Sequence, residues 1–160
     1  MSNVFYDLRP LHARFGMAAS GIDLNAPLSD ACVSQIKRDL HEHRLLVFRG
    51  QGRVSGQRQV EISQWFGRVE STFYKHPRSP HPDVFRVSND ESQGCTRVGR
   101  SGWHIDGSFQ QTPFKVQTMH FWSVSRGGAT LFAPLVEVFE SLPRARQEQW
   151  TKLWFVTDAG

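Results

Sequence analysis

The spacing of apolar side chains changes along this chain, and each change marks an element. Between Phe5 and Met17, short apolar stretches on either side of Pro10 predict two short strands. After Gly21 and Pro27, Ser29 stands where a helix N-cap belongs. Cys32, Val33, Ile36 and Leu40 then recur at helical spacing, which predicts a first helix over 29–43. Leu45 to Phe48 is an unbroken apolar run stopped by Arg49 and Gly50, the pattern of a short buried strand. Ser55 is placed to cap a second helix carrying Val60, Ile62, Trp65 and Phe66, with Gly67 at the position that ends it.

From Gly67 to Gly102 the pattern dissolves into polar residues and prolines at 77, 80 and 82, leaving one predicted strand over 84–88. Long loops of this kind inside a domain commonly carry function. A strand is predicted over 116–124, a turn at Gly127 and Gly128, and a short strand over 130–132. A helix bearing Leu135, Val138, Phe139 and Leu142 follows, then a second helix from Pro143, a residue tolerated at a helix start. A last strand is predicted over 153–156. The second half reads as a sheet just begun.

Length and composition narrow the class. The 160 residues, 39% hydrophobic and 21% charged, fit one globular domain spanning 1–160. No apolar run approaches the roughly 18–20 residues of a membrane span, and the N-terminus lacks the basic and apolar regions of a secretory signal. The expectation is a cytoplasmic protein with no membrane partner. Cys32 and Cys95 stand far apart with no metal-ligand spacing, which points to reduced thiols. The net charge of +4 and pI near 9.5 permit an anionic partner. The arginines are scattered, however, and no groove-reading motif accompanies them, so no nucleic-acid partner is expected.

The stretch most loaded with chemistry is Gly102 to Phe109, GWHIDGSF. In extended backbone the side-chain period is two, so His104 and Asp106 would project from one face and reach one metal ion. An imidazole and a carboxylate suit two positions of the facial triad that holds non-haem Fe(II). The same spacing also suits a strand-end histidine simply hydrogen-bonded to a nearby carboxylate.

Further stretches fall into one order. They are Gly21-Ile22-Asp23-Leu24 with Pro27-Leu28-Ser29, LLVFRGQ at 45–51, WFGRV at 65–69, WHIDGSF at 103–109 with Pro113, and GGATLF at 127–132 before a helix ending in Ser141-Leu142-Pro143. Together they resemble the taurine / 2,4-dichlorophenoxyacetate dioxygenase (TauD/TfdA) family of Fe(II)- and 2-oxoglutarate-dependent oxygenases. The resemblance implies an α+β protein built on a double-stranded β-helix, a jelly-roll barrel with flanking helices. It implies an oxidoreductase that uses Fe(II), 2-oxoglutarate and O₂ to oxidise a small organic molecule, releasing succinate and CO₂. His104 and Asp106 would be two of three iron ligands, oriented by neighbours such as Trp103 and Ser108, and Thr130 would bond a carboxylate of 2-oxoglutarate. Tyr74 would line the substrate pocket.

The departures from the family pattern carry further expectations. Taurine-specific members have a histidine where this chain has Ser71 and an asparagine where it has Arg100, so taurine is not the expected substrate. Arg100, always charged, favours an anionic substrate over a cationic one; otherwise it is a solvated loop arginine. The GGDT pattern of the family reads Gly127-Gly128-Ala129-Thr130 here, keeping the threonine and losing the acid. No histidine follows His120, so the family's distal iron ligand, like the arginine that pairs with 2-oxoglutarate, has no counterpart. His120 itself is expected to be a packed or hydrogen-bonded strand residue. The expectation is a domain truncated on its C-terminal side with an incomplete barrel, which leaves room for a homo-oligomer. The alternative reading is a catalytically inactive remnant that binds a metal, a small anion or a partner chain.

Overall fold

The structure, a computed structural model, describes residues 5–70, 74–96, 102–124, 126–127, 129–154 and 156. Its first third forms a β-hairpin followed by a helical crossover. Strand β1 (Asp7–Pro10) pairs antiparallel with β2 (Met17–Ser20), Asp7 lying opposite Ser20 and Pro10 opposite Met17. Pro10 ends the first strand as expected, but six residues intervene before the second begins. Helix α1 (Asp30–His43) then carries the chain to β3 (Leu46–Phe48), which lies parallel to β2. The sheet order is β1-β2-β3.

Both ends of α1 follow from single residues. Ser29 Oγ accepts the backbone N–H of Cys32, satisfying one of the donors a helix start leaves open. At the other end Arg44 adopts φ 65°, a left-handed position that glycine usually takes, and its N–H donates to Leu40 O at 2.7 Å. The Arg44 guanidinium also makes a two-pronged ion pair with Glu137, far along the chain. That bond holds the Glu137 carboxyl down at about 2.

Helix α2 (Gly56–Gln64) starts at Ser55, whose Oγ accepts from Arg58 N–H at 3.1 Å. It stops short of Phe66, because Trp65 and Phe66 donate to Ile62 and Ser63 in a tightened last turn before Gly67. Gly56 has no room for a side chain: a Cβ there would lie 2.5 Å from the Pro80 carbonyl oxygen. Arg58 reaches back to the carbonyls of Leu24 and Ala26, and Gln51 bonds Ile22 and Leu24, so the 22–26 loop is fastened to the segment around α2. The core sits between these elements. Tyr6, Ala19, Leu24, Cys32 and Ile36 are buried, with Leu46, Phe48, Ile62, Trp65 and Phe66 packed against them.

The rest of the chain departs from the expected sheet. Over 84–88 only Val87 bridges to Cys95, without a ladder. Residues 116–124 and 130–132 are irregular wherever they are described, as are Leu153, Trp154 and Val156. Apolar runs become strands only when a neighbouring strand takes their backbone hydrogen bonds, and none pairs with them among the described residues. Helices α3 (Leu135–Glu140) and α4 (Arg144–Trp150) form as predicted, although α3 closes before Leu142 and neither helix buries a residue. The described residues therefore show a small mixed sheet with four helices, a fraction of the sheet structure expected of an incomplete double-stranded β-helix.

Candidate metal centre

Asp106 to Phe109 form a turn, with Ser108 N–H donating to Ile105 O and Gln110 N–H to Gly107 O. Gly107 makes the turn possible. Its φ is +73°, and a Cβ on it would come within 2.7 Å of the Phe114 ring, so both conformation and space call for glycine. The extended backbone expected through His104 and Asp106 is thus replaced by an irregular stretch running into a tight turn. The two side chains meet across the irregular stretch just ahead of the turn.

His104 Nε2 lies 3.1 Å from Asp106 Oδ1, and both side chains are about half exposed. His104 Nδ1 lies 2.9 Å from the carbonyl oxygen of Gly102. A carbonyl only accepts, so Nδ1 carries the hydrogen and Nε2 is the atom turned to Asp106. The second carboxylate oxygen, Oδ2, accepts from Gln117 Nε2 at 2.5 Å. Asp106 is therefore gripped from one side and faces the imidazole with the other.

Two ligand atoms each about 2.1 Å from one metal ion and at right angles to each other stand about 3.0 Å apart. The 3.1 Å separation matches that spacing. It is also a distance the proton of an imidazolium spans. The donor set, one neutral imidazole nitrogen and one carboxylate oxygen, is the kind that ferrous iron accepts. No metal-binding group of three or more histidine, cysteine or acidic side chains occurs among the described residues, so the pair would offer a metal two donors.

The segment that delivers Gln117 is fastened to the N-terminal unit. Ser63 Oγ donates to Gln59 O at 2.8 Å, so its only hydrogen is used and Thr118 donates to Ser63 across 2.7 Å. His120 Nδ1 accepts from the indole N–H of Trp122 at 2.7 Å, and Nε2 then donates to Gly52 O at 2.9 Å. Both ring nitrogens are engaged, as expected of a hydrogen-bonded histidine, though no strand holds it. Arg53 and Arg86 lie over the Trp122 ring at 4.9 and 5.0 Å from its centroid.

Thr130 is exposed in the irregular stretch before α3 and makes no hydrogen bond among the described residues. Tyr74 stacks on Phe85 at 4.8 Å. Trp103 is exposed rather than packed. Arg100, Ser71 and Gly128 lie outside the described residues. Sequence reasoning missed Gln117, which stood within a predicted strand and carries no motif of its own.

Comparison with known proteins places this geometry in context. Residues 7–159 match the family described as taurine catabolism dioxygenase TauD, TfdA family. The chain is 29% identical over 155 residues to an alpha-ketoglutarate-dependent 2,4-dichlorophenoxyacetate dioxygenase of Cupriavidus pinatubonensis, covering 88% of this chain and 54% of that protein. It is 28% identical over 153 residues to an alpha-ketoglutarate-dependent sulfate ester dioxygenase of Pseudomonas putida, covering 94% and 48% respectively. The crystal structure of a taurine dioxygenase from Burkholderia xenovorans superposes with a TM-score of 0.54 at 26% identity, over 69% of this chain and 38% of that one. The chain spans about half the length of the curated relatives it matches. With almost all of its length matched, and the His104–Asp106 pair in the stretch that carries the resemblance, the chain belongs to the TauD/TfdA family of dioxygenases.

Proposed function

We propose that this chain carries the iron-binding part of an Fe(II)- and 2-oxoglutarate-dependent dioxygenase acting on a small, anionic organic substrate. The observation that supports this reading most is the 3.1 Å approach of His104 Nε2 to Asp106 Oδ1. Iron bound with 2-oxoglutarate supplies the power to oxidise a substrate with O₂, yielding succinate and CO₂. The protein's part is orientation. Gly102 O keeps the Nδ1 hydrogen of His104 in place so that Nε2 faces the metal, and Asp106 supplies a negative oxygen beside it. Thr130 bonds a carboxylate of 2-oxoglutarate, Tyr74 lines the substrate pocket, and Arg100 pairs with the substrate's acidic group. The anionic preference draws support from the relatives, one named for 2,4-dichlorophenoxyacetate and one for sulfate esters.

A second reading, a catalytically inactive remnant, is favoured by the lack of a third donor beside the pair among the described residues. Anaerobic titration of the chain with Fe(II), followed by calorimetry, tests the proposal. Binding that disappears in both His104→Ala and Asp106→Ala supports it. Binding unchanged in both variants, or no binding at all, overturns it. Succinate release from Fe(II), 2-oxoglutarate and an anionic substrate separates the readings: metal binding without succinate assigns this polypeptide to the remnant.

A further inference from the structure

We propose that Gln117 is a positioning residue that fixes which oxygen of Asp106 is offered to the metal; the inference rests on the reading of His104 and Asp106 as ligands. A free aspartate carboxylate turns about its Cβ–Cγ bond and presents either oxygen, or both. Here one oxygen is taken. Asp106 Oδ2 accepts a hydrogen bond of 2.5 Å from Gln117 Nε2, while Oδ1 stands 3.1 Å from His104 Nε2. An ionised carboxylate has no hydrogen to give, so the amide nitrogen of Gln117 must face it and the amide orientation is settled by chemistry. The bond is charge-assisted, the stronger class of hydrogen bond. Occupying Oδ2 leaves Oδ1 for single-oxygen coordination and keeps other positions on the metal open.

Gln117 is itself held. Its neighbour Thr118 donates to Ser63 on α2, and two residues on, His120 donates to Gly52 O. The carboxylate is thus referred to the packed N-terminal unit rather than to its own exposed loop. Outer partners of this kind change metal affinity by about 10–100-fold when removed. Gln117 is exposed, so water competes for Asp106 and the lower end of that range applies.

The test is Co(II) titration of the whole chain, read by visible absorption and calorimetry, with Gln117→Leu. Gln117 is not buried and its amide makes no second bond among the described residues, so the fold should persist, which circular dichroism and thermal unfolding check. The expected result is a Co(II) dissociation constant raised about tenfold, with a changed absorption spectrum as the freed carboxylate changes its coordination, and an unfolding temperature like the parent's. Gln117→Lys, which restores a donor on a longer stem, should recover the parent spectrum. A Leu variant with parent affinity and spectrum overturns this inference alone, since His104 and Asp106 would still bind. A parent chain whose Co(II) binding is indifferent to His104→Ala and Asp106→Ala overturns both this inference and the proposed function.

Discussion

Residues 5–66 and residues 103–156 have comparable numbers of large apolar side chains and opposite fates for them. In the first region the sheet, α1 and α2 close around Ile36, which is only 2% exposed. In the second, Gly107 is the sole buried residue among those described, while Trp154 is 94% exposed. The difference lies in partners rather than in hydrophobicity. β1, β2 and β3 find each other within 42 residues of chain, whereas the apolar runs over 116–124 and 130–132 meet no strand among the described residues. The His104–Asp106 pair stands on the second region and is steadied by the first. Its side chains come from an exposed segment, and the residue gripping Asp106 belongs to a segment tied to α2 and its preceding loop.

The sharpest contrast comes from trimming one side chain in each region. Ile36→Ala leaves a hole in the core and should lower unfolding stability by about 2–5 kcal/mol. Val136→Ala, on a residue of α3 that is 56% exposed, should change it by less than about 0.5 kcal/mol. Denaturant unfolding measures both, and equal effects would break the comparison.

Next in size is the bond that ties Tyr6, just ahead of β1, to α1. Tyr6, buried beside the core, donates to Asp39 Oδ2 at 2.5 Å. Tyr6→Phe should lower stability by about 1.5–3 kcal/mol, the range for a hydrogen bond to a charged group. Burial, and then the bond to Asp39, hold the Tyr6 hydroxyl well above its ordinary pKa. The folded state therefore keeps a proton that the unfolded state gives up. The stabilisation is complete below about pH 10 and is lost as pH climbs beyond that value. Unfolding curves of the parent should show this alkaline loss, and those of Tyr6→Phe should not share it.

The smallest effect belongs to the tie between the regions. Because Arg44 holds Glu137 down at about 2, the ion pair's contribution is present above the ordinary carboxylate range and fades as pH falls toward that value. NMR titration of the Glu137 carboxyl should show its pKa rise toward ordinary in Arg44→Ala. An unchanged titration would mean that α3 does not rest on the end of α1 in solution.

Much of the first region was legible in the sequence because its signals are local. Ser29 and Ser55 announce helix starts, the period of Cys32, Ile36 and Leu40 gives the helix face, and the run ending at Phe48 gives a strand. The strands expected later were read from apolar runs alone, and pairing is a long-range property that such runs do not encode. The end of α1 at His43 was readable, but Arg44 took a left-handed position where glycine is the usual signal, so neither that cap nor its bond to Glu137 was. At the proposed metal pair the residues were legible from their spacing, but not their local backbone. His104 and Asp106 approach each other in an irregular stretch where a strand was expected, and Gln117 enters through a tertiary contact with no sequence motif.

Metal ions are proposed to bind at His104 and Asp106 under the control of the segment tied to α2. Adding Mn(II) to the ¹⁵N-labelled chain tests it directly, because the paramagnetic ion broadens the amide signals nearest to it. Signals from Gly102 to Gly107 and from Gln117 should broaden first, while those around Ile36 stay sharp. Broadening that begins instead at His12, or at His41 and His43 on α1, or that spreads evenly over the chain, would contradict it.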